Sequence, residues 1–267
     1  MVSLISTNNG FALAALRRVN NEINETQNRI ASGYKVSSAK DNAGVWATAT
    51  KLRGDITTNE TIKGGIATAK AQADSGIAAL DEISSLVDEV AKIVTAAKAA
   101  GAASASQIAA IAGYDAQIAN LAGSAKYAGK NVLETANNLS AALPYSDGAS
   151  AGTITYTSAD FVTAGEFANL TAATDSTKVL ALDVGKLYED IAGTSAKLGA
   201  FSKAAEGTLN FVDKLADIQS SVLGSLVDAD LERESAKIQA LQVRQQLAYQ
   251  AMAMTNNSAQ NILMLFR

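Results

Sequence analysis

Both ends of this chain carry apolar stripes at helical spacing, and neither end alone can bury its stripe. Near the start, Ile5, Ala12, Val19 and Thr26 recur every seven residues, with Leu16, Ile23 and Ile30 at the alternate positions. Near the end, Val227, Leu231, Ile238, Leu241, Ala248, Met252, Thr255, Ala259, Ile262 and Phe266 follow the same alternation of threes and fours. Such a stripe requires a partner helix. The nearest candidates are the opposite terminus and a second copy of the chain. The closing run Ile262-Leu263-Met264-Leu265-Phe266 is apolar, so the tail is not expected to stay in water.

Composition supports long helices. Ala makes up about a fifth of the 267 residues, aromatic residues 5%, and there is one Pro. Ala is the strongest helix former and Pro the strongest breaker. The net charge is −4, with both signs spread along the chain. The absence of a Lys/Arg cluster argues against nucleic acid as a partner. No apolar run approaches the roughly 18 residues of a membrane span, so no membrane insertion is expected. The first residues show no basic and apolar leader pattern, which implies a cytoplasmic chain or one exported by another route. With no Cys and no His, the sequence offers no thiol nucleophile, no zinc site of the usual kind and not the commonest general base. Scattered carboxylates such as Asp81 and Glu82 read as solvated helix faces. No catalytic residue, no cofactor and no metal is expected.

Residues 4–32 read as one helix, broken at Gly33. The stretch from 33 to 37 reads as a connector, and Ser38-Ala39-Lys40-Asp41 as a capping box. A helix of about sixty residues follows, on a stripe from Ile62 to Ala97 (Leu80, Ile83, Val87, Val90 and Val94 among them). It would extend about 90 Å, with Gly64-Gly65 a candidate kink. After a turn at Gly101 comes a helix carrying Ile108, Ile111, Ile118 and Ala122. The stretch 131–177 holds Pro144, many Ser and Thr, and the alternating Thr153-Ile154-Thr155-Tyr156-Thr157, and reads as short strands and loops. From about 178 the helical stripe returns, from Val184 through Leu226 with Val222 in it, as intrachain core. The expected fold is mainly α: an elongated antiparallel helical rod and coiled coil with a small β-hairpin-like tip. Arg29, Lys40, Asp41 and Arg53 are candidate ion-pair residues, and the acidic run from Asp228 to Glu234 suits a helix N-terminus.

Particular residues carry a resemblance. Arg29-Ile30-Ala31-Ser32-Gly33-Tyr34-Lys35-Val36-Ser37-Ser38-Ala39-Lys40-Asp41-Asn42-Ala43-Gly44 resembles the N-terminal signature of the bacterial flagellins. Ser6-Thr7-Asn8-Asn9 resembles their opening, Asn257 to Arg267 their closing signature, and Lys126 to Leu133 the lead into their small β region. The resemblance implies a structural subunit of the helical filament of the bacterial flagellum, outside the cell, of a short alphaproteobacterial type lacking large outer domains. It implies residues 1–33 and 227–267 as the two halves of an inner coiled-coil domain. Residues 34–226 would be a rod domain with a β tip at about 131–177. The implied self-assembly interface is Ile5, Ala12, Leu16, Val19, Ile23, Ile30, Ile238, Leu241, Ala248, Met252, Ile262, Leu263, Leu265 and Phe266, ordering on assembly.

The implied partners are other subunits, the flagellar type III export apparatus, an export chaperone, and hook-associated and cap proteins. O-linked sugars are implied on exposed Ser or Thr, with Thr153, Thr155 and Ser158 as candidates; two N-glycosylation sequons at Asn138 and Asn169 are of a kind common by chance. Many flagellins carry a basic motif read by an innate Toll-like receptor. Glu89 and Ala91 stand here where that motif has arginines, so weak or no recognition is expected. The alternative reading is a hook–filament junction protein, which shares the terminal signatures. A secreted adhesin or effector would need a larger central insert, and the metallopeptidase inserted in some flagellins would need His.

Overall fold

The computed structural model describes residues 2–135, 137–144 and 152–265, and side chains from 13 to 254 among these. Helices dominate, as the Ala-rich and Pro-poor composition requires. They are α1 (Val2–Ser32), α2 (Ala43–Ala100), α3 (Ala105–Ser124), α4 (Gly165–Thr171), α5 (Ser176–Ala181), α6 (Val184–Val227) and α7 (Leu231–Leu265). Two antiparallel hairpins join them. One pairs β1 (Lys126–Tyr127) with β2 (Lys130–Asn131), the other β3 (Leu139–Ala142) with β4 (Thr153–Tyr156). The mainly α class with small β hairpins is as expected. α2 runs unbroken through Gly64 and Gly65.

The described residues group into two compact units, 1–55 with 218–267, and 56–217. The boundaries read from sequence, after 33 and before 227, coincide with the end of α1 and the end of α6. They fall inside the first unit. A helix break marks where the chain turns, whereas a compact unit ends where packing ends. The first turns of α2, with Ala49 fully buried, and the last turns of α6 pack within the first unit.

The second unit holds the larger core. One face of α2 is buried along its length, from Ile66 through Leu80, Ile83, Val87 and Val90 to Val94 and Ala97. It meets Leu187, Leu198, Phe201 and Val212 of α6 and Ile111 and Ile118 of α3. Cross-links show that α2 and α6 run antiparallel. Lys63 pairs with Asp213, Ser202 Oγ donates to Asp74 at 2.6 Å, Tyr188 donates to Asp88, and Lys98 Nζ donates to Leu182 O at 2.6 Å.

Local chemistry explains where the elements begin and turn. Ser104 and Gln107 form a complete capping box at the start of α3. The box expected at Ser38 and Asp41 is only half made. Asp41 accepts from the amide of Ser38, but α2 starts later, with Asn42 Oδ1 accepting from the amide of Val45. The β1–β2 turn places Ala128 and Gly129 at φ of 48° and 80°, the left-handed pair that a tight hairpin demands. Asn131, fully buried, donates to Ala122 O at 2.6 Å and accepts from the amide of Leu133 at 3.0 Å, locking the hairpin to the end of α3.

The stretch expected as strands and loops also contains α4 and the start of α5. Asp175 caps α5 by accepting from Lys178 N. Phe167, Leu170 and Val179 turn into the core. Helices of six or seven residues are too short to display a helical period in sequence.

Gly76 marks the tightest packing on α2. A Cβ there would overlap Val132 Cγ2 and lie 3.1 Å from Leu198 Cδ1. Gly76→Ala gains about 1 kcal/mol of helix propensity against an overpacking cost of roughly 1–3 kcal/mol. The expected outcome is a net loss, read as a lower urea midpoint, with Val132→Ala restoring it in the double variant. A Gly76→Ala midpoint equal to or above wild type would show that Val132 yields without cost.

Candidate self-assembly interface

The two termini meet within the single chain. α1 and α7 pack in the first unit, with Leu16, Val19 and Ile23 of α1 and Leu241 of α7 buried. Ile30, Ile238, Ala248 and Met252 are half-buried. The helices run antiparallel. Arg29 Nη1 lies 3.5 Å from Glu234, Gln245 Nε2 donates to Asn20 Oδ1 at 2.7 Å, and Arg244 lies 4.0 Å from Glu22. The part-buried Asn20–Gln245 pair fixes which turns face each other, since a slip of one turn would strand two amides.

A short backbone ladder joins the end of α1 to the start of α7. Tyr34 bridges Asp228, Lys35 N donates to Val227 O at 2.8 Å, and Ala229 N donates to Gly33 O at 2.8 Å. Gly33 stands at φ 74°, which closes α1 as a left-handed cap. Val36 and Val227 are buried beneath the ladder. Asp41 holds the connector by accepting from the amides of Ser37 and Ser38, and these bonds lower its carboxyl pKa below the ordinary range. Asp230 caps α7 by accepting from Arg233 N, with Glu232 and Glu234 in the first turn as the acidic run suggested.

The sequence-read interface residues therefore divide. Leu16, Val19, Ile23 and Leu241 are already covered by the chain's own second terminus. Ile30, Ile238, Ala248 and Met252 line the edges of the same seam. The side chains of Ile5, Ala12, Ile262, Leu263 and Leu265, and all of Phe266, lie outside the described residues. Of the ion-pair candidates, Arg29 pairs with Glu234, and Asp41 makes hydrogen bonds instead. Val222, read as core, is 44% exposed, as is its neighbour Ile218 at 60%. The stripe on α6 is longer than the surface available to cover it.

A second face of α7 escaped the sequence reading. Val243, Leu247 and Met254 are 56%, 58% and 65% exposed. At 3.6 residues per turn they project about 140° away from Leu241, Ala248 and Met252. The signal was present as a second set of apolar residues four and seven apart, but the first set masked it. Of the sugar candidates, Thr153 and Thr155 are exposed on β4. Ser158 is buried and its hydroxyl donates to Asn138 Oδ1 at 3.2 Å, so it is not presented for modification.

An antiparallel pair of terminal helices, apolar on a seam and again on an outer face, is the architecture of a helical structural subunit. The profile of the bacterial flagellin N-terminal helical region matches residues 5–138, and that of the C-terminal helical region matches residues 183–266. The chain is 34% identical to flagellin FljO of Caulobacter vibrioides over 98% of both chains. It is 32% identical to a flagellin of Brucella melitensis over the full length of both, and 28% identical to flagellin C of Rhizobium meliloti over 96% of both. The chain belongs to the bacterial flagellin family. Flagellins are the subunits of the extracellular filament of the flagellum.

Thr26 is a flaw in the α1–α7 seam. It is fully buried, and its hydroxyl has no hydrogen-bond partner among the described residues. Thr26→Val keeps the branched shape and removes the unsatisfied group, so it is expected to raise stability by about 1 kcal/mol in chemical denaturation. A destabilised Thr26→Val chain would mean that the hydroxyl is satisfied in solution.

Proposed function

We propose that this filament subunit self-associates through the outward apolar face of its terminal helix pair, and that the inward seam serves chiefly to hold that face in place. The chain is a flagellin, and flagellins polymerise into the flagellar filament. The observation that carries the surface assignment is the exposed row Val243, Leu247 and Met254, opposite the seam with α1. A row of large apolar side chains that the chain leaves in water gains roughly 25 cal/mol per Å² when a neighbour covers it. Contacts between unlike faces of successive copies do not close, and so build a helical polymer. In this reading Leu16, Val19, Ile23 and Leu241 act in assembly by positioning α7.

Further parts of the reading follow from family membership. Export by the flagellar type III apparatus with a chaperone, and placement beside hook-associated and cap proteins, are proposed on that ground. So is a purely structural, non-catalytic role. Thr153 and Thr155 are the proposed sites for any O-linked sugar. The hook–filament junction reading has no observation in its favour.

Two outcomes test these proposals. Val243→Asp with Leu247→Asp is expected to abolish seeded filament growth in electron micrographs while leaving the helical circular dichroism of the monomer unchanged. Normal filaments from that variant would move the interface elsewhere. Glu89 is tied to Lys92 at 2.6 Å, a net-neutral ion pair where the stimulatory motif is basic. Reporter cells bearing the flagellin-sensing receptor are therefore expected to respond weakly, and a full response at doses typical of stimulatory flagellins would refute the proposal.

A further inference from the structure

We propose that the groove between α3 and α4 is a socket for a basic side chain of a second copy of this chain, with Asp115 as its counter-charge. The proposal rests on the filament-subunit reading and adds a contact in the second compact unit. The groove is an open cavity of about 450 Å³, with Ile108, Ala109 and Ala112 of α3 on one wall and Leu170 and Thr171 of α4 on the other. Its lining is apolar except near Asp115 and the threonines.

Asp115 is half-buried at this surface. Its Oδ1 accepts from the Thr171 hydroxyl at 3.1 Å. No Lys or Arg forms an ion pair with it among the described residues. On the rim, Lys178 Nζ lies 3.5 Å from Thr174 Oγ1. Burial raises the Asp115 carboxyl above the ordinary carboxylate range, and only the threonine opposes this. A half-desolvated carboxylate beside an apolar trough fits one kind of group well. A Lys or Arg lays its aliphatic stem along the apolar wall and brings its charge to the carboxylate.

Copies of this chain can supply that group. Lys51, Lys186 and Lys197 are exposed and form no ion pair among the described residues. In a homopolymer each copy meets others at the highest local concentration of any partner. The contact joins unlike surfaces, a socket on one copy and a basic projection on the next. It therefore propagates without closing, as a filament requires.

The test uses the full-length chain. Because it contains no Cys, Ala109→Cys introduces a unique thiol in the exposed wall of the groove. Its labelling by a maleimide is compared in monomer and in filaments whose presence is confirmed by electron microscopy. Labelling in the monomer and suppression in filaments is expected. A labelling rate unchanged in well-formed filaments overturns the proposal and leaves the filament reading intact. If the wild-type chain forms no filament, both fall.

The charge is tested separately with Asp115→Asn, whose monomer fold is checked by circular dichroism. Loss of a desolvated ion-pair partner should raise the critical concentration for polymerisation about tenfold or more. Asp115→Glu should restore part of it, whereas a merely structural Asp115–Thr171 bond would be served as well by Asn. An unchanged critical concentration for Asp115→Asn overturns the assignment of a basic occupant, even if the thiol is protected.

Discussion

Burial of two terminal stripes against each other is the constraint on which the first unit depends. α1 and α7 each carry an apolar face that would be costly in water, and they come from opposite ends of the chain. Pairing them antiparallel brings Arg29 to Glu234, Glu22 to Arg244 and Asn20 to Gln245. It also lets the backbone between Gly33 and Val36 form hydrogen bonds with the stretch from Val227 to Ala229. The exposed ion pairs add little, since such pairs contribute about 0–1 kcal/mol. Apolar burial supplies the stability, and the amide pair selects the register.

This arrangement changes what polymerisation has to accomplish. If the stripes were uncovered in the monomer, assembly would have to bury both. The single chain instead covers the seam itself and leaves a second row on α7 facing outward. On the proposal that this outer row is the assembly surface, assembly acts on a face held by the chain's own seam. The seam is not optimised for stability alone, since a buried threonine interrupts it. Polar groups at such seams can favour one register over its neighbours.

The second unit follows different rules. Its core is a long strip along α2, covered by α6 and α3, with small side chains allowing close approach. Gly76 admits the hairpin residue Val132 against α2. The buried Asn131 then donates to Ala122 O to tie that hairpin to α3, and accepts from Leu133 N to hold the turn that follows. One local fit therefore controls where the chain leaves its helices and enters the β region. The same region presents Thr153 and Thr155 outward on β4, while Ser158, past the end of the strand, is held inward by hydrogen bonds to Asn138 Oδ1.

Much of this was legible in the sequence. The long helices, the break at Gly33, the core stripe of α2 and the Asp/Glu-rich start of α7 all follow from periodicity, helix propensity and capping, which act over a few residues. The terminal signatures identified the family. What the sequence left open depended on which face finds a partner. It marked Leu16, Val19, Ile23 and Leu241 as needing one, but only the tertiary structure decided that the other terminus supplies it. It read Val222 as core, but no neighbouring surface covers that turn of α6. It missed α4, whose seven residues are held by the core and not by their own period, and the Asp175-capped start of α5. The depth of Ser158 and the Thr171-bonded carboxylate of Asp115 likewise arise from elements distant in sequence. Local stereochemistry determined the elements; the competition among faces for a limited amount of covering surface determined which were buried and which stay exposed.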